Sequence, residues 1–275
     1  PTPLNSRPKW WISVRRHCFN TSARTAFSHA CRIMSQAPLN NRTILVTGAS
    51  RGIGHAVARR LHDAGARVVG ISRTPPEAPV PHGIEDVRMD LGDIAALTAA
   101  LRELCGDYPD IDGLVLNAGA GRFGGLEEFS ADHIRELVEL NLVSPMLVTR
   151  EFLPRFKTRG SGDLVFIGSE SALRGGRKGA VYSATKFGIR GFVQSVREEC
   201  AGSGVRTGII NPGMVDTSFF DELDFRPGRR PDQHLKAGDV ADAVLLMISA
   251  RPGAVIDEIN LSPAKTVIDF GTRNS

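Results

Sequence analysis

The sequence lacks the long apolar runs and the ligand clusters that mark membrane spans and structural metal sites. No apolar run reaches the roughly 18 residues of a membrane-spanning helix, so we expect a soluble protein with no membrane partner. The cysteines are few and scattered, without a C-x-x-C motif or a histidine pair at metal-ligand spacing: Cys18, Cys31, Cys105 and Cys200. This pattern predicts a reducing compartment and no bound metal.

Acidic residues are missing from residues 1–33, which contain six arginine or lysine residues. Subtracting these six from the formal net charge of +4 leaves −2 for the remainder, so the overall basicity does not predict a nucleic-acid partner. The segment has the Arg-rich, Ser/Thr-rich composition of an organellar transit peptide. We favour the alternative that it is upstream sequence, because "SQAPLNNRTILVTGAS" after Met34 reads as the start of a domain.

The chain is therefore divided into a non-domain tail, residues 1–33, and one domain, residues 34–275. The whole chain is 41% hydrophobic and 23% charged, which is typical of a globular protein with a full core. We expect it in the cytoplasm, or in the mitochondrial matrix if the tail is a transit peptide.

From Arg42 onward, short apolar runs alternate with segments of helical period. The runs expected to be strands are "TILVTG", "ARVVGIS", "GIEDVRMD", "IDGLVLN", "DLVFIGS", "VRTGIIN" and a last one near "VIDEINL". Among the helices between them, one is closed by Gly65, and Ser130 is the expected N-cap of the long segment "ADHIRELVELNLVSPMLVTREFLPRF". Apolar strands that alternate with helices predict one doubly wound α/β domain with a parallel sheet covered on both faces.

The first strand is followed by "TGASRGIGHAVA", with glycines at positions 48, 52 and 54. Ligands of doubly wound sheets bind at the carboxyl ends of the strands. Glycines allow the backbone to approach a pyrophosphate closely, and the helix that follows offers free N–H groups. A tight turn also needs glycine without any ligand, but the position between a strand and a helix favours nucleotide binding.

The stretch "AVYSATKFG" places Tyr182 and Lys186 four residues apart, on one face of a predicted helix. The pKa of a free tyrosine is about 10, and a nearby cation lowers it by favouring the phenolate. We therefore expect Lys186 to lower the pKa of Tyr182. Taken alone, the pair also fits a solvated amphipathic turn.

These motifs resemble the short-chain dehydrogenase/reductase family, whose signature is T-G-x-x-x-G-x-G followed by Y-x-x-x-K. Further family motifs follow in order over about residues 40 to 262: the N-A-G motif Asn117, Ala118 and Gly119, the helix asparagine Asn141, Ser169 thirteen positions before Tyr182, and the P-G motif Pro212 and Gly213 with Thr217. The resemblance implies a Rossmann-type domain with about seven strands, an oxidoreductase that interconverts a carbonyl and a secondary alcohol, and a homo-oligomer, either a dimer or a tetramer.

The resemblance also implies roles for four residues. Tyr182 is the general acid in reduction and the general base in oxidation, and Ser169 hydrogen-bonds the same substrate oxygen. Lys186 also holds the nicotinamide ribose, and Asn141 anchors a water. An asparagine that only satisfies backbone groups in a distorted helix is the alternative for Asn141. Ser171 does not match the spacing and is treated as a bystander.

The predicted cofactor is NADP. Users of NAD in this family end the second strand with an acid, as other dinucleotide folds do, whereas this chain has Ser72 and Arg73 there, and Arg51 in the glycine loop. A guanidinium can bind a phosphate through two donors at once. The residues predicted to bind the cofactor are Gly48, Ser50, Arg51, Gly52, Ile53, Gly54, Ser72, Arg73, Asp90, Leu91, Asn117, Ala118, Gly119, Tyr182, Lys186, Pro212, Gly213, Val215 and Thr217.

The substrate is less well specified. The long loop "MVDTSFFDELDFRPGRRPDQHLKAG" is a predicted lid, and its Phe219, Phe220 and Phe225 offer an apolar wall, although such a cluster also fits simple packing. The ending "VIDEINLSPAK" lacks the V-x-G-G of bacterial β-ketoacyl reductases and resembles the branch that oxidises serine and small 3-hydroxy acids.

Basic residues near the predicted substrate site favour a small-molecule substrate with a carboxylate, such as a 3-oxo or 3-hydroxy acid. They are Arg174, Arg177, Lys178, Arg226, Arg229, Arg230 and Lys236. The first three are accompanied by one acid, Glu170, whereas those of the predicted lid are balanced in number by Asp221, Glu222, Asp224 and Asp232. Solvated loop charges are the alternative. The alternative function is a non-catalytic NADP-binding sensor or scaffold, which the presence of both Tyr182 and Lys186 disfavours.

Overall fold

The computed structural model describes residues 39–78 and 81–271. The predicted tail, residues 1–33, lies outside the described residues, so its assignment stays a prediction. Within the described part, no helix is both long enough and apolar enough to cross a membrane. The same residues contain no group of three or more His, Cys, Asp or Glu placed to hold a metal ion.

Eleven strands are present in the described residues. They are β1 (Thr43–Thr47), β2 (Arg67–Ser72), β3 (Ile84–Arg88), β4 (Gly113–Leu116), β5 (Gly162–Ile167), β6 (Val205–Pro212), β7 (Val215–Asp216), β8 (Phe225–Pro227), β9 (Leu235–Lys236), β10 (Glu258–Leu261) and β11 (Ile268–Phe270). Seven of them form one parallel sheet in the order β10-β6-β5-β4-β1-β2-β3, which confirms the predicted doubly wound fold. The strand order reverses between β1 and β4, where such sheets bind ligands.

Helices cover both faces of this sheet. They are α1 (Gly52–Asp63), α2 (Ile94–Asp107), α3 (Ala131–Val138), α4 (Ser144–Arg159), α5 (Ala180–Cys200) and α6 (Ala237–Ile248). One apolar core lies under α1 and α6, and the other under α2, α4 and α5. Alternate residues of β1 serve the two cores, because side chains of a strand point to opposite faces: Ile44 and Val46 pack in the first core, and Leu45 in the second.

The long segment after Ser130 is not one regular helix. Ser130 caps α3 as predicted, and its Oγ accepts a hydrogen bond of 3.1 Å from the His133 N–H. A π-helical turn, Glu139–Val143, then separates α3 from α4. A π-helical turn contains one residue more than an α-helical turn. Its middle residue here, Asn141, makes side-chain hydrogen bonds to the backbone of Ala120 in a neighbouring loop.

The predicted irregular loop after β6 contains short paired strands. β7 pairs with β9 in parallel, and β8 pairs with β11 in an antiparallel ladder. Strands of two or three residues are too short to show a period, which is why sequence analysis found none of them. The β8–β11 ladder attaches the C-terminal part of the described chain to the predicted lid.

A buried ion cluster holds the opposite, amino-terminal edge of the sheet. The Asp163 carboxylate, whose residue is 4% exposed, accepts hydrogen bonds from Arg42 (2.8 Å) and Arg206 (2.7 and 2.9 Å). Arg42 also pairs with Asp112 at 2.6 Å. These residues lie beside the first residues of β1, β4, β5 and β6. The cluster therefore fixes the relative positions of four central strands at the edge away from their carboxyl ends.

We expect Asp163→Ala to lower the free energy of unfolding by about 3 to 5 kcal/mol, because it leaves two partly buried guanidinium groups without their shared carboxylate. Asp242→Ala is the matched control, since it removes an ion pair with Arg60 at 2.6 Å that is solvent-exposed. That control should cost less than about 1 kcal/mol. Urea unfolding followed by circular dichroism measures both values, and equal losses would contradict a special role for the buried cluster.

Candidate active site

A cavity of about 690 Å³ opens at the carboxyl ends of the parallel strands. It extends from the glycine loop after β1 to the turns that follow β5 and β6. Every residue predicted to bind cofactor or to act in catalysis lines this cavity, except Gly54 and Asn141. The structure thus brings residues that are up to about 170 positions apart in the sequence to one site, as expected at a reversal of strand order.

The glycine loop has a backbone that only glycine adopts readily. Gly48 and Gly52 have φ angles of 69° and 56°, in the left-handed region. A Cβ on Gly48 would lie 3.0 Å from the Asn117 Nδ2 and from the Ala118 Cα, so a side chain there would also displace the neighbouring loop. The N-cap of α1, Arg51, offers no side-chain acceptor to the first turn of the helix. The N–H groups of that turn are therefore suited to an anionic ligand.

Gly54 and Asn117 build this loop from behind. A Cβ on Gly54 would collide with the Gly48 carbonyl oxygen, so glycine allows α1 to pack closely against the end of β1. The Asn117 side chain donates hydrogen bonds to the carbonyl oxygens of Thr47 (3.0 Å) and Gly48 (3.3 Å), and its backbone N–H donates to the Thr47 Oγ1 (2.9 Å). Both residues support the loop, whether or not they also touch a ligand.

Tyr182, Lys186 and Ser169 lie at the other end of the cavity. The first two are in the opening turns of α5, and Ser169 follows β5; each of the three residues is less than 10% exposed. The Lys186 Nζ lies 5.7 Å from the centroid of the Tyr182 ring and donates a hydrogen bond of 3.2 Å to the Ile167 carbonyl oxygen. The backbone N–H of Ser171 donates to the Ser169 Oγ at 3.1 Å.

The expectation that Lys186 lowers the pKa of Tyr182 is wrong for the protein's own groups. Burial raises the pKa of Tyr182 to about 12; the Ser169 hydroxyl lowers this pKa and the Glu170 carboxylate raises it. Burial also lowers the pKa of Lys186 to about 8. Burial is the largest cause of both shifts, because it disfavours the charged form of each side chain.

Asn141 does not line the cavity but fixes one of its loops. Its Nδ2 donates to the Ala120 carbonyl oxygen, its Oδ1 accepts from the Ala120 N–H, both at 2.9 Å, and its Nδ2 also lies 3.3 Å from the Thr185 Oγ1. Asn141 therefore connects the loop after the N-A-G motif to α5. These bonds fit an asparagine that satisfies backbone groups in a distorted helix, and its role as a water anchor stays a prediction.

Arg51, Ser72 and Arg73 meet at the glycine-loop end of the cavity. Neither arginine has an ion-pair partner within residues 39–78 and 81–271. The Ser72 Oγ donates to the Thr74 carbonyl oxygen (2.8 Å) and lies 3.2 Å from the Asp86 Oδ1. Asp86, on β3, pairs with Arg88 at 2.6 Å and does not line the cavity. The two arginines are thus the charged groups at this end that can reach an anion.

The substrate end has aromatic walls and few charges. Phe219, Phe220 and Phe225 line it, which confirms the predicted apolar wall. Glu170 and Asp224, two of the acids among the predicted basic residues, also line this end. Three further lining residues were not predicted from the sequence: Phe123, Ile268 and Phe270. No motif indicated these three, because they lie in a loop and in β11.

Of the basic residues predicted to border the substrate, only Arg177 and Lys178 line the cavity. Arg229 and Arg230 lie 3.5 Å and 3.3 Å from Asp269 and Asp232, respectively, and are directed to those acids. Burial raises the pKa of Glu170, the carboxyl group next to Ser169. The charge of the cavity wall at this end is therefore mixed rather than uniformly basic.

Comparison with known proteins shows the same fold and family pattern. The chain is 31% identical over 252 residues to dehydrogenase/reductase SDR family member 11 of Mus musculus, covering 82% of this chain and 96% of that protein. A metagenomic short-chain oxidoreductase solved in complex with NADP matches with a TM-score of 0.70 and 30% identity, over 82% of this chain and 98% of that one. An alcohol dehydrogenase of the archaeon Thermococcus sibiricus, complexed with 5-hydroxy-NADP, matches with a TM-score of 0.70 and 26% identity, over 80% and 95%.

The sequence profile described as short chain dehydrogenase matches residues 42–226, which contain the glycine loop, the N-A-G motif, Ser169, Tyr182 and Lys186. That match covers more than half of the chain. The chain therefore belongs to the short-chain dehydrogenase/reductase family and is an oxidoreductase.

Proposed function

We propose that the protein interconverts a carbonyl compound and a secondary alcohol with NADP(H) as the cofactor. The observation that carries this proposal is the buried group of Tyr182, Ser169 and Lys186 at one end of the cavity. The other end contains a glycine loop and two arginines that have no ion-pair partner in the described part of the chain. The NADP-bound relatives, which share the fold, support the choice of cofactor.

The residues present fit a dinucleotide. Gly48 and Gly52, both at positive φ angles, place no side chain between the backbone and a pyrophosphate, and the first turn of α1 has N–H groups without a side-chain cap. Arg51 and Arg73 would hold the 2′-phosphate, and Lys186 would hold the nicotinamide ribose. When bound, this cofactor supplies a hydride in reduction and accepts one in oxidation.

Tyr182 donates its phenolic proton to the carbonyl oxygen in reduction and removes a proton from the alcohol in oxidation. Burial raises the pKa of Tyr182 to about 12, so the phenol is protonated at neutral pH and has a proton to donate. The Ser169 hydroxyl donates a hydrogen bond to the same oxygen as negative charge develops on it. Asn141 connects the Ala120 loop to α5 and so fixes the position of this loop relative to Tyr182.

We expect Tyr182→Phe to reduce kcat by at least about 100-fold while NADPH still binds, because the ring remains but the transferable proton is lost. Ser171→Ala is the matched control, since that hydroxyl is close by and has no assigned role. Turnover with a panel of aldehydes and ketones, followed by NADPH absorbance, and cofactor binding by calorimetry measure the two effects. Near-normal turnover of Tyr182→Phe would refute the assignment of Tyr182 as general acid and base. If the wild type binds NADPH but turns over no carbonyl or alcohol, the result would favour a sensor or scaffold.

We expect wild-type protein to prefer NADPH over NADH by roughly 100-fold, equivalent to about 2 to 3 kcal/mol of charge-assisted hydrogen bonding. The double variant Arg51→Ala with Arg73→Ala should lose most of this preference. Arg59→Ala is the control, because Arg59 is an exposed residue of α1 that does not line the cavity. Dissociation constants for both cofactors decide the matter, and equal wild-type affinities would overturn the choice of NADP.

The substrate proposed is a carbonyl compound with a nearby carboxylate, such as a 3-oxo acid, or the corresponding 3-hydroxy acid. Arg177 and Lys178 support this proposal, since they are the basic residues that line the substrate end. Their charges are opposed by Glu170 and Asp224 at the same end, so the expected preference is modest.

We expect kcat/KM for a 3-oxo acid to exceed that for its methyl ester by about tenfold at low salt, with the gap narrowing as salt screens the charges. Arg177→Ala together with Lys178→Ala should remove the gap. Arg226→Ala is the control, because Arg226 does not line the cavity. Equal values for acid and ester with no salt dependence would leave a carbonyl reductase without a carboxylate site.

The proposal also includes the oligomeric state and the cellular location of the protein. A homo-oligomer, either a dimer or a tetramer, and a cytoplasmic location follow from the family resemblance and the scattered cysteines. Light scattering of the purified chain measures the first, and imaging of a tagged full chain measures the second.

A further inference from the structure

Five phenylalanines from separate parts of the chain surround the reactive end of the cavity. They are Phe123 after β4, Phe219 and Phe220 in the turn after β7, Phe225 in β8 and Phe270 in β11. Two of them flank Tyr182: its ring centroid lies 5.1 Å from that of Phe123 and 6.1 Å from that of Phe219. The phenylalanine wall therefore begins beside the Tyr182 ring.

The wall is a connected structure. Phe123 and Phe225 meet edge to face at 5.0 Å, and Phe225 lies 5.8 Å from Phe220 and 6.4 Å from Phe270. Glycine at position 121 is needed for this arrangement, since a Cβ there would collide with the Phe219 ring. The loop after β4 and the predicted lid therefore pack directly against each other at the substrate end.

The outer part of this wall is exposed although it lines the cavity. Phe270 is 68% exposed and Ile268 is 46% exposed. Their backbone is held in place by the β8–β11 ladder, in which Phe270 is opposite Phe225, and by the Gly228 N–H, which donates to the Val267 carbonyl oxygen at 3.0 Å. Apolar side chains that only fill a core are buried, whereas Ile268 and Phe270 line the cavity from a paired strand and keep much of their surface exposed.

We propose that the substrate carries an aromatic or similarly bulky apolar group next to its reacting carbon, and that Phe270 on the C-terminal strand is a specificity-determining residue for it. This inference rests on the proposed function, because it assigns the wall to the substrate of the same site. An apolar group seated between Phe123 and Phe219 would extend toward Phe270 and would bury the surface now exposed. Lys178 lies beside this wall, since its carbonyl oxygen accepts a hydrogen bond of 2.8 Å from the Gly124 N–H, next to Phe123.

The experiment compares acetophenone with butan-2-one as substrates for the wild-type chain and NADPH. Burying a phenyl group should raise kcat/KM for acetophenone by roughly 50-fold over butan-2-one. Phe270→Ala should reduce this ratio about fivefold or more, mainly by raising the KM for acetophenone. Leu246→Ala is the matched control, because Leu246 is an exposed apolar residue of α6, 57% exposed, that does not line the cavity.

A ratio near one, or an unchanged ratio in Phe270→Ala, would overturn the inference while leaving the proposed function intact. If neither ketone nor any oxo acid is reduced, the proposed function fails. Saturation-transfer NMR then tests the wall without turnover: acetophenone should bind the wild-type chain with NADP⁺ more tightly than butan-2-one and should lose that advantage in Phe270→Ala. Equal binding of the two ketones to the wild type would overturn the inference on its own.

Discussion

The hydrogen bonds between Thr47 and Asn117 join the carboxyl ends of β1 and β4, and the rest of the site is positioned from that junction. They fix the turn in which Gly48 takes its left-handed conformation and against which α1 begins. The N-A-G loop continues from Asn117 to Ala120, where Asn141 connects it to α5 and hence to Tyr182. A displacement at the junction would therefore be transmitted to both ends of the cavity.

Burial affects the charged groups at the reactive end differently from those in the ion cluster at the amino-terminal edge of the sheet. Asp163 is buried with two arginines, so its charge is compensated by direct hydrogen bonds. Lys186 and Tyr182 are equally buried, yet burial lowers the pKa of the lysine and raises that of the tyrosine, so the fold disfavours the charged form of each. A lysine whose pKa is about 8 can gain or lose a proton close to neutral pH, which suits proton exchange rather than a structural ion pair.

The sequence predicted the parts of this site that depend on local motifs. Glycines at a strand–helix turn, Ser130 before a helix, and a tyrosine one turn before a lysine each have a short-range physical cause, and the structure contains all three. The pairing of β8 with β11 and the π turn at Asn141 could not be predicted in this way. They depend on contacts between distant segments, and elements of three to five residues have too few positions to show a period. The same reason explains why Phe123 and Phe270 were not predicted to line the cavity, since each contacts the other phenylalanines only after the chain has folded.

The pKa of Tyr182 illustrates a second limit of sequence reasoning. A spacing of four residues places two side chains on one face of a helix, but it does not give the depth at which that face is buried. Here burial has the largest effect on the pKa of Tyr182, and the Lys186 Nζ lies 5.7 Å from the centroid of its ring.

A similar limit applies at the substrate end, where the basic residues in the sequence suggested an anionic substrate. Folding directs Arg229 and Arg230 toward acids and leaves two basic and two acidic residues on the wall, so charges there largely cancel at a distance. Discrimination at such a wall depends on short-range contact, and aromatic rings provide most of the contact surface beside the reacting tyrosine.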